Sequence, residues 1–143
     1  MNRRAAIAMT AAEAAAFLEE SRTVTCATIG RDGRPHLMPL WYVVRGGELW
    51  AWTYAKSQKV RNLERDARCT LQIEAGDSYD QLRGVMLKCV AAIHRDPEIV
   101  VGVGNALAAR YGGGGHVTPE QAAKRVALQF VVKEIVSFDH SKI

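Results

Sequence analysis

Apolar positions along this chain alternate between two periods, and each change of period marks an element. Residues 11–20 carry Phe17 and Leu18 in an alanine-rich run. Thr10 and Glu13 stand before that run at capping-box spacing, so a short helix ending near Glu20 is expected. Thr23 to Ile29 is rich in β-branched residues and reads as a strand. Gly30-Arg31-Asp32-Gly33 turns the chain, so the run 35–44 pairs back as a hairpin. Pro39 interrupts that run, and because it has no N–H to donate it implies an edge or a bulge. After Arg45-Gly46-Gly47 comes a third strand, 48–54, with unlike faces. One face carries Trp50, Trp52 and Tyr54, and the other carries Leu49, Ala51 and Thr53.

Beyond Tyr54 the period lengthens. Val60, Leu63 and Ala67 define a helix with Ser57 as its N-cap. Residues 69–74 alternate and form a fourth strand, and 75–80 is a polar loop. Residues 82–94 form a long apolar strand. Pro97 opens a helix that runs to about Tyr111 and stops at Gly112–Gly115. Thr118-Pro119-Glu120-Gln121 starts another short helix, and 126–132 and 135–138 read as two last strands. Consecutive hairpins argue for an antiparallel sheet. The expected fold is mainly β, a six- to seven-stranded small barrel with peripheral helices, spanning 1–143 as one domain.

Composition narrows the class. At 48% hydrophobic and 24% charged, the chain can bury a core and is not disordered. No apolar run approaches the ~20 residues needed to cross a bilayer, so no membrane role is expected. The basic start resembles a signal peptide, but its apolar run is too short and is broken by Thr10 and Glu13. A cytoplasmic location is expected. Cys26, Cys69 and Cys89 lie far apart in strand-like runs and read as buried small hydrophobes. The four histidines are scattered, and no metal site is expected. The net charge of +4 suits an anionic small ligand better than nucleic acid.

The segment Tyr54 to Leu63 is the strongest candidate for chemistry. Lys56, Lys59 and Arg61 cluster at a strand-to-helix junction capped by Ser57. Free N–H groups and the positive end of a helix attract phosphate, so the junction reads as an anion cradle. The plain alternative is a solvated helix start. Gly102-Val103-Gly104-Asn105 lacks the third glycine of a dinucleotide fingerprint and sits inside a helix pattern. Ser137, Asp139 and His140 are nearly adjacent, unlike hydrolase triad members. Glu74, Asp77 and Asp80 match no calcium spacing. Core packing is the default for the Trp50, Trp52, Tyr54 face, with stacking on a flat cofactor or on bases as alternatives. Ala51 and Thr53 are small enough to let a planar ring approach the backbone.

Several stretches together resemble the pyridoxamine-phosphate-oxidase-like split β-barrels, which include FMN- and coenzyme F420-dependent oxidoreductases. They are Thr25-x-x-Ile-Gly-Arg-Asp-Gly-Arg-Pro-His36, Pro39-Leu40-Trp41-Tyr42, Ser57-Gln58-Lys59-Val60-Arg61-Asn62-Leu63, Leu82-Arg83-Gly84-Val85 and Ser137 to Lys142. The resemblance implies a homodimer with its active site at the interface. It implies that Lys56, Lys59 and Arg61 hold a phosphate with Ser57 nearby. It places the ring along Pro39, Leu40 and Trp41 and along Trp50 to Thr53, including Trp52 and Thr53. Gln72 and the Arg83-Gly84 region are expected near the cofactor. The arginine- and proline-rich C-terminal segment of true pyridoxamine phosphate oxidases is missing, so vitamin-B6 oxidation is not expected.

Arg61, Arg65, Arg68 and Arg83 lie in candidate groove elements and favour the acidic tail of coenzyme F420, with FMN as the alternative. The expected reaction is hydride transfer between that ring and an electron-poor organic substrate. A non-catalytic carrier of the cofactor is the second reading. No catalytic side chain is assigned, and Tyr42 and His36 are the only protein acids considered.

Overall fold

The computed structural model of the chain describes residues 2–113 and 115–143. Its elements are α1 (Arg3–Ala6), α2 (Ala11–Glu20), β1 (Val24–Ile29), β2 (Pro35–Leu40), β3 (Val43–Arg45), β4 (Glu48–Tyr54) and α3 (Gln58–Arg65). Then follow β5 (Arg68–Ala75), β6 (Arg83–His94), α4 (Pro97–Tyr111), α5 (Pro119–Ala123) and β7 (Arg125–Asp139). The seven strands form one antiparallel sheet in the order β2-β1-β5-β6-β7-β4-β3, curled into a half-barrel. The expected mainly β architecture is therefore present.

Local chemistry accounts for the element ends. The Thr10–Glu13 capping box closes α2 at its start. Gly33 and both glycines of the β3–β4 turn have positive φ, which a Cβ would oppose. Asp96 caps α4, Pro97 fills its first turn, and Gly112 ends it in the left-handed region.

Three details differ from the sequence reading. The 126–132 and 135–138 segments are one strand, β7, not two. Lys88 faces Glu134 and Cys89 faces Val132, which leaves Lys133 as a bulge. Second, the break in the 35–44 run falls at Trp41–Tyr42, not at Pro39. The Tyr42 backbone is claimed elsewhere: its N–H donates to Tyr111 Oη, and its carbonyl accepts from Arg110 and Tyr111. Pro39 instead sits within β2, the outermost strand. The Arg34 carbonyl accepts from Gly30 N–H, so alternation turns Pro35, Leu37 and Pro39 to the open side. Third, α1, capped by Asn2, has no counterpart in the pattern reading.

Two apolar clusters follow from the strand faces. Inside the half-barrel, Val24, Cys26, Leu49, Ala51, Leu71, Leu87, Leu128 and Phe130 are buried, closed off by Phe17 of α2 and Val60 of α3. Under α4, Val43, Val100, Val103, Leu107, Ala122 and Ala127 form a second cluster, with Trp50 and Trp52 half-buried against it. All three cysteines are free and buried. Desolvation pushes the Cys26 thiol up to about 11 and Cys89 to about 12, and raises Cys69 as well.

Candidate functional site

The half-barrel has a split, and the split exposes backbone. The tight β3–β4 hairpin pairs Arg45 with Glu48 and Val43 with Trp50, and there β3 ends. From Ala51 to Tyr54, β4 is paired with β7 alone. Ladder alternation turns the even positions of β4 toward β3, so the N–H and C=O of Trp52 face the opening beyond it. The end of β2 closes on the same opening. Pro39, Leu40, Trp41 and Trp52 line one cleft of about 350 Å³ there, together with Thr23 and Leu107. Four predicted ring-side residues are thus brought together from opposite ends of the sheet. Trp41 is 58% exposed and stacks on Tyr111, with centroids 4.5 Å apart and planes 3° apart.

A second group gathers where β4 runs into α3. Ser57 accepts from Val60 N–H and caps the helix as expected. Lys56 and Arg61 are exposed and form no ion pair or side-chain hydrogen bond among the described residues. Lys59 differs. It is only 6% exposed, and its Nζ donates to Thr53 Oγ1 at 3.3 Å. No carboxylate pairs with it among the described residues, and burial lowers the pKa of its amine. An amine held this way has unused donor capacity. Thr53 is half-buried, so the pair lies just beneath the surface. Lys124 adds a further exposed cation, because its carbonyl accepts from Ala55 N–H beside Lys56. Arg125 is held between the rings of Trp52 and Tyr54, at 4.5 and 4.3 Å from their centroids.

Other expectations fare differently. Ala51 is fully buried in the main cluster, so no ring can approach it from that face. Gln72 lies on the outer face of the sheet, in a groove with Thr25, Leu37, Met86 and Phe138, and does not line the cleft of Pro39 and Trp41. Of the four groove arginines, three are engaged. Arg65 donates to the Ile29 carbonyl, Arg68 pairs with Asp66 at 2.7 Å, and Arg83 pairs with Glu20 at 2.8 Å. Tyr42 is buried, and its hydroxyl donates into the carbonyls of Leu18 and Ser21, which removes it as an acid. His36 Nδ1 is buried without a partner, on β2 opposite Thr28.

The rejected motifs stay rejected on geometry. Ser137 Oγ accepts from Met9 N–H, and Asp139 is taken by Ser141, so no triad forms. Gly104 is inside α4, where a Cβ would stand 2.6 Å from the Trp52 ring. The glycine run 112–115 includes Gly114, outside the described residues, so its reading as a lid falls partly outside them. Among the described residues, no group of three or more His, Cys, Asp or Glu is placed to hold a metal. No described helix is long and apolar enough to cross a membrane. Trp50 and Trp52 are half-buried and do not form an exposed stacking platform.

Thr23 and Leu107 at the cleft, and Tyr111 stacked on Trp41, have no counterpart in the sequence reading of the site. Tyr111 could have been found from helical spacing, since Gly104, Leu107, Ala108 and Tyr111 share one face of α4. Lys124 had no local signal.

With this geometry in place, comparison with known proteins assigns the class. Residues 10–138 match the pyridoxamine 5'-phosphate oxidase family, and the chain belongs to it. No curated protein sequence matches the chain. A conserved hypothetical protein from Mycobacterium tuberculosis is 44% identical, with a TM-score of 0.89 over 99% of this chain and 92% of that one. An F420 reductase shares the fold at 23% identity and a TM-score of 0.71, over 90% of this chain and 95% of that one. An FAD and heme binding protein from Mycobacterium smegmatis shares it at 18% and 0.77, over 91% and 71%.

Proposed function

We propose that the chain is an oxidoreductase that binds coenzyme F420, with its ring in the split and its phosphate at the start of α3. The carrying observation is the coincidence of a stretch of β4 that pairs on one side only with adjacent cations that form no ion pair among the described residues. Trp52 N–H and C=O would meet the polar edge of a ring flanked by Pro39, Leu40 and Trp41. Lys56, Ser57 and Arg61 would hold the phosphate, with Lys59 reaching it from beside Thr53. The ring supplies the hydride chemistry, and these residues bind and orient it. Lys56, Arg61 and Lys124 favour the acidic tail of coenzyme F420 over the shorter FMN, although Arg65, Arg68 and Arg83 are already engaged. The F420 reductase fold relative supports the same choice.

The partner reading extends this. Leu37 is 60% exposed, and the outer-face groove that it lines with Gln72, Val136 and Phe138 is largely apolar. Such a face suits a second copy of the chain, and Gln72 would then lie at the interface between the copies. The substrate would be an electron-poor organic molecule, and the location cytoplasmic.

The test is optical titration of purified protein with coenzyme F420 and with FMN. Tighter binding of F420 is expected. Tighter binding of FMN would reverse the cofactor choice, and binding of neither would end the proposal. Turnover of the reduced cofactor with quinones and enones then separates an enzyme from a carrier.

A further inference from the structure

Trp41 lines the split while remaining 58% exposed, so its own packing does little to fix its ring. With Tyr42 it forms the short crossing from β2 to β3, where no strand ladder holds the backbone. The hold comes from the end of α4. Tyr111 stacks on Trp41, and its hydroxyl accepts from the Tyr42 N–H. That hydroxyl has one proton, shared between the carbonyls of Arg22 and Tyr42 at 2.7 and 2.9 Å. Arg110 Nη1 adds a dedicated donor to the Tyr42 carbonyl at 2.6 Å.

The other arm of the same guanidinium reaches α2. Arg110 Nη2 donates to the carbonyls of Glu19 and Ser21, at the end of that helix. Carbonyls there lack partners within the helix and favour a cation. The guanidinium also lies 4.6 Å from the centroid of the buried Tyr42 ring. No carboxylate pairs with Arg110 among the described residues. One planar fork therefore fastens α2, the crossing and α4 together, with its donors spent on backbone. A lysine, which is a point charge, could not span these carbonyls. Bonds to α2 alone would only tie two helices. The bond to Tyr42, one peptide from Trp41, carries the hold to the split.

We propose that Arg110 is a positioning residue for the split: through the Tyr42 carbonyl and Tyr111 it fixes the plane of Trp41, the wall beside the cofactor ring, a role that rests on that ring lying in the split. A wall set before the ring arrives costs no ordering when the ring binds.

The test joins fluorine NMR of 5-fluorotryptophan-labelled protein to titration with coenzyme F420. Phenylalanine substitutions assign the resonances of Trp41, Trp50 and Trp52. Without cofactor, Arg110→Lys should shift or broaden the Trp41 resonance and leave that of Trp50 in place. Affinity for F420 should fall about tenfold, as for loss of a charged hydrogen bond. In a Trp41→Ala background the same substitution should change affinity less than twofold. A lower melting temperature with the Trp41 resonance and F420 affinity unchanged would overturn the proposal and leave Arg110 a structural tie. So would an equal loss of F420 affinity with and without Trp41. Should Arg110→Lys not fold, Tyr111→Phe keeps the stacked ring and removes the hydroxyl. It should also move the Trp41 resonance, and an unmoved one would be equally decisive. Because that resonance is read without cofactor, failure to bind F420 or FMN registers separately, against the proposed function alone.

Discussion

The cluster inside the half-barrel and the cluster under α4 use similar residues but differ in what closes them. Inside, strands from most of the sheet face one another, and α2 and α3 close the ends. Leu49, Leu87, Leu128 and Phe130 have no exposed surface. Under α4, one helix covers part of one face, and small residues at Gly104 and Ala108 leave open volume beside two tryptophans. The first region turns its largest side chains fully inward. The second keeps flat surfaces available to a ligand. The two faces of β4 thus differ in how much of their surface is closed off, and Thr53 with Lys59 stands at the margin of the sealed face.

The strongest way to break this division is to cut the sealed side. Phe130→Ala should cost about 3–5 kcal/mol, the range for truncating a fully buried aromatic ring. Denaturant unfolding checks this, and a loss below about 1 kcal/mol would mean that the interior is not sealed.

Alkali probes the same seal by another route. Cys26 and Cys89 titrate near 11 and 12 when folded, against 9.0 ordinarily. A raised folded value means the contribution is complete below pH 9 and is lost as pH rises above it. Stability should fall by about 1.4 kcal/mol per pH unit for each such thiol in that window. Burial holds the Lys59 amine below its ordinary 10.5, which acts in the opposite sense. The measurement is therefore cleaner in a Lys59→Met background, and a flat profile from pH 9 to 10.5 in that background would contradict buried thiols.

Lys59 itself sharpens the contrast. Lys59→Met and Arg61→Ala should each weaken cofactor binding by about 1–3 kcal/mol, as for loss of a charged hydrogen bond. Lys59→Met should not lower stability without ligand, since removing a buried unpaired amine relieves its desolvation. A marked drop in melting temperature for Lys59→Met would make the lysine structural.

The smallest effect is expected on the open side. Trp41→Ala should cost about 1 kcal/mol of stability, roughly the value of its aromatic stack. A loss above about 3 kcal/mol would show that the open region carries the fold as well.

Much of this architecture was legible because local and tertiary preferences agree. Thr10 and Glu13 form the capping box that their spacing implies. The glycine turns set the first two hairpins, and the alternation at 69–74 marks β5, where Leu71 and Ile73 are buried and Gln72 is exposed. Where tertiary partners prevailed, the pattern misled. Tyr42 leaves the strand because Arg110 and Tyr111, nearly seventy residues away, take its backbone. The bulge at Lys133 joins what reads as two strands. At the site, Ser57 and the cluster of cations were visible. The burial of Lys59 was not, because it depends on Thr53 facing the same interior. The open volume under α4 had only a weak trace in the small residues of that helix.

The prolines of β2 bear on how such a molecule stays dispersed. A sheet that does not close leaves two margins where another strand could add. At one, β3 has only three residues. At the other, three N–H groups at positions 35, 37 and 39 would point outward, and prolines at 35 and 39 remove two of them. An incoming strand would find a single donor, at Leu37, where a continuous ladder needs several. The chain can thus leave its sheet unclosed while resisting edge-to-edge polymerisation into fibrils.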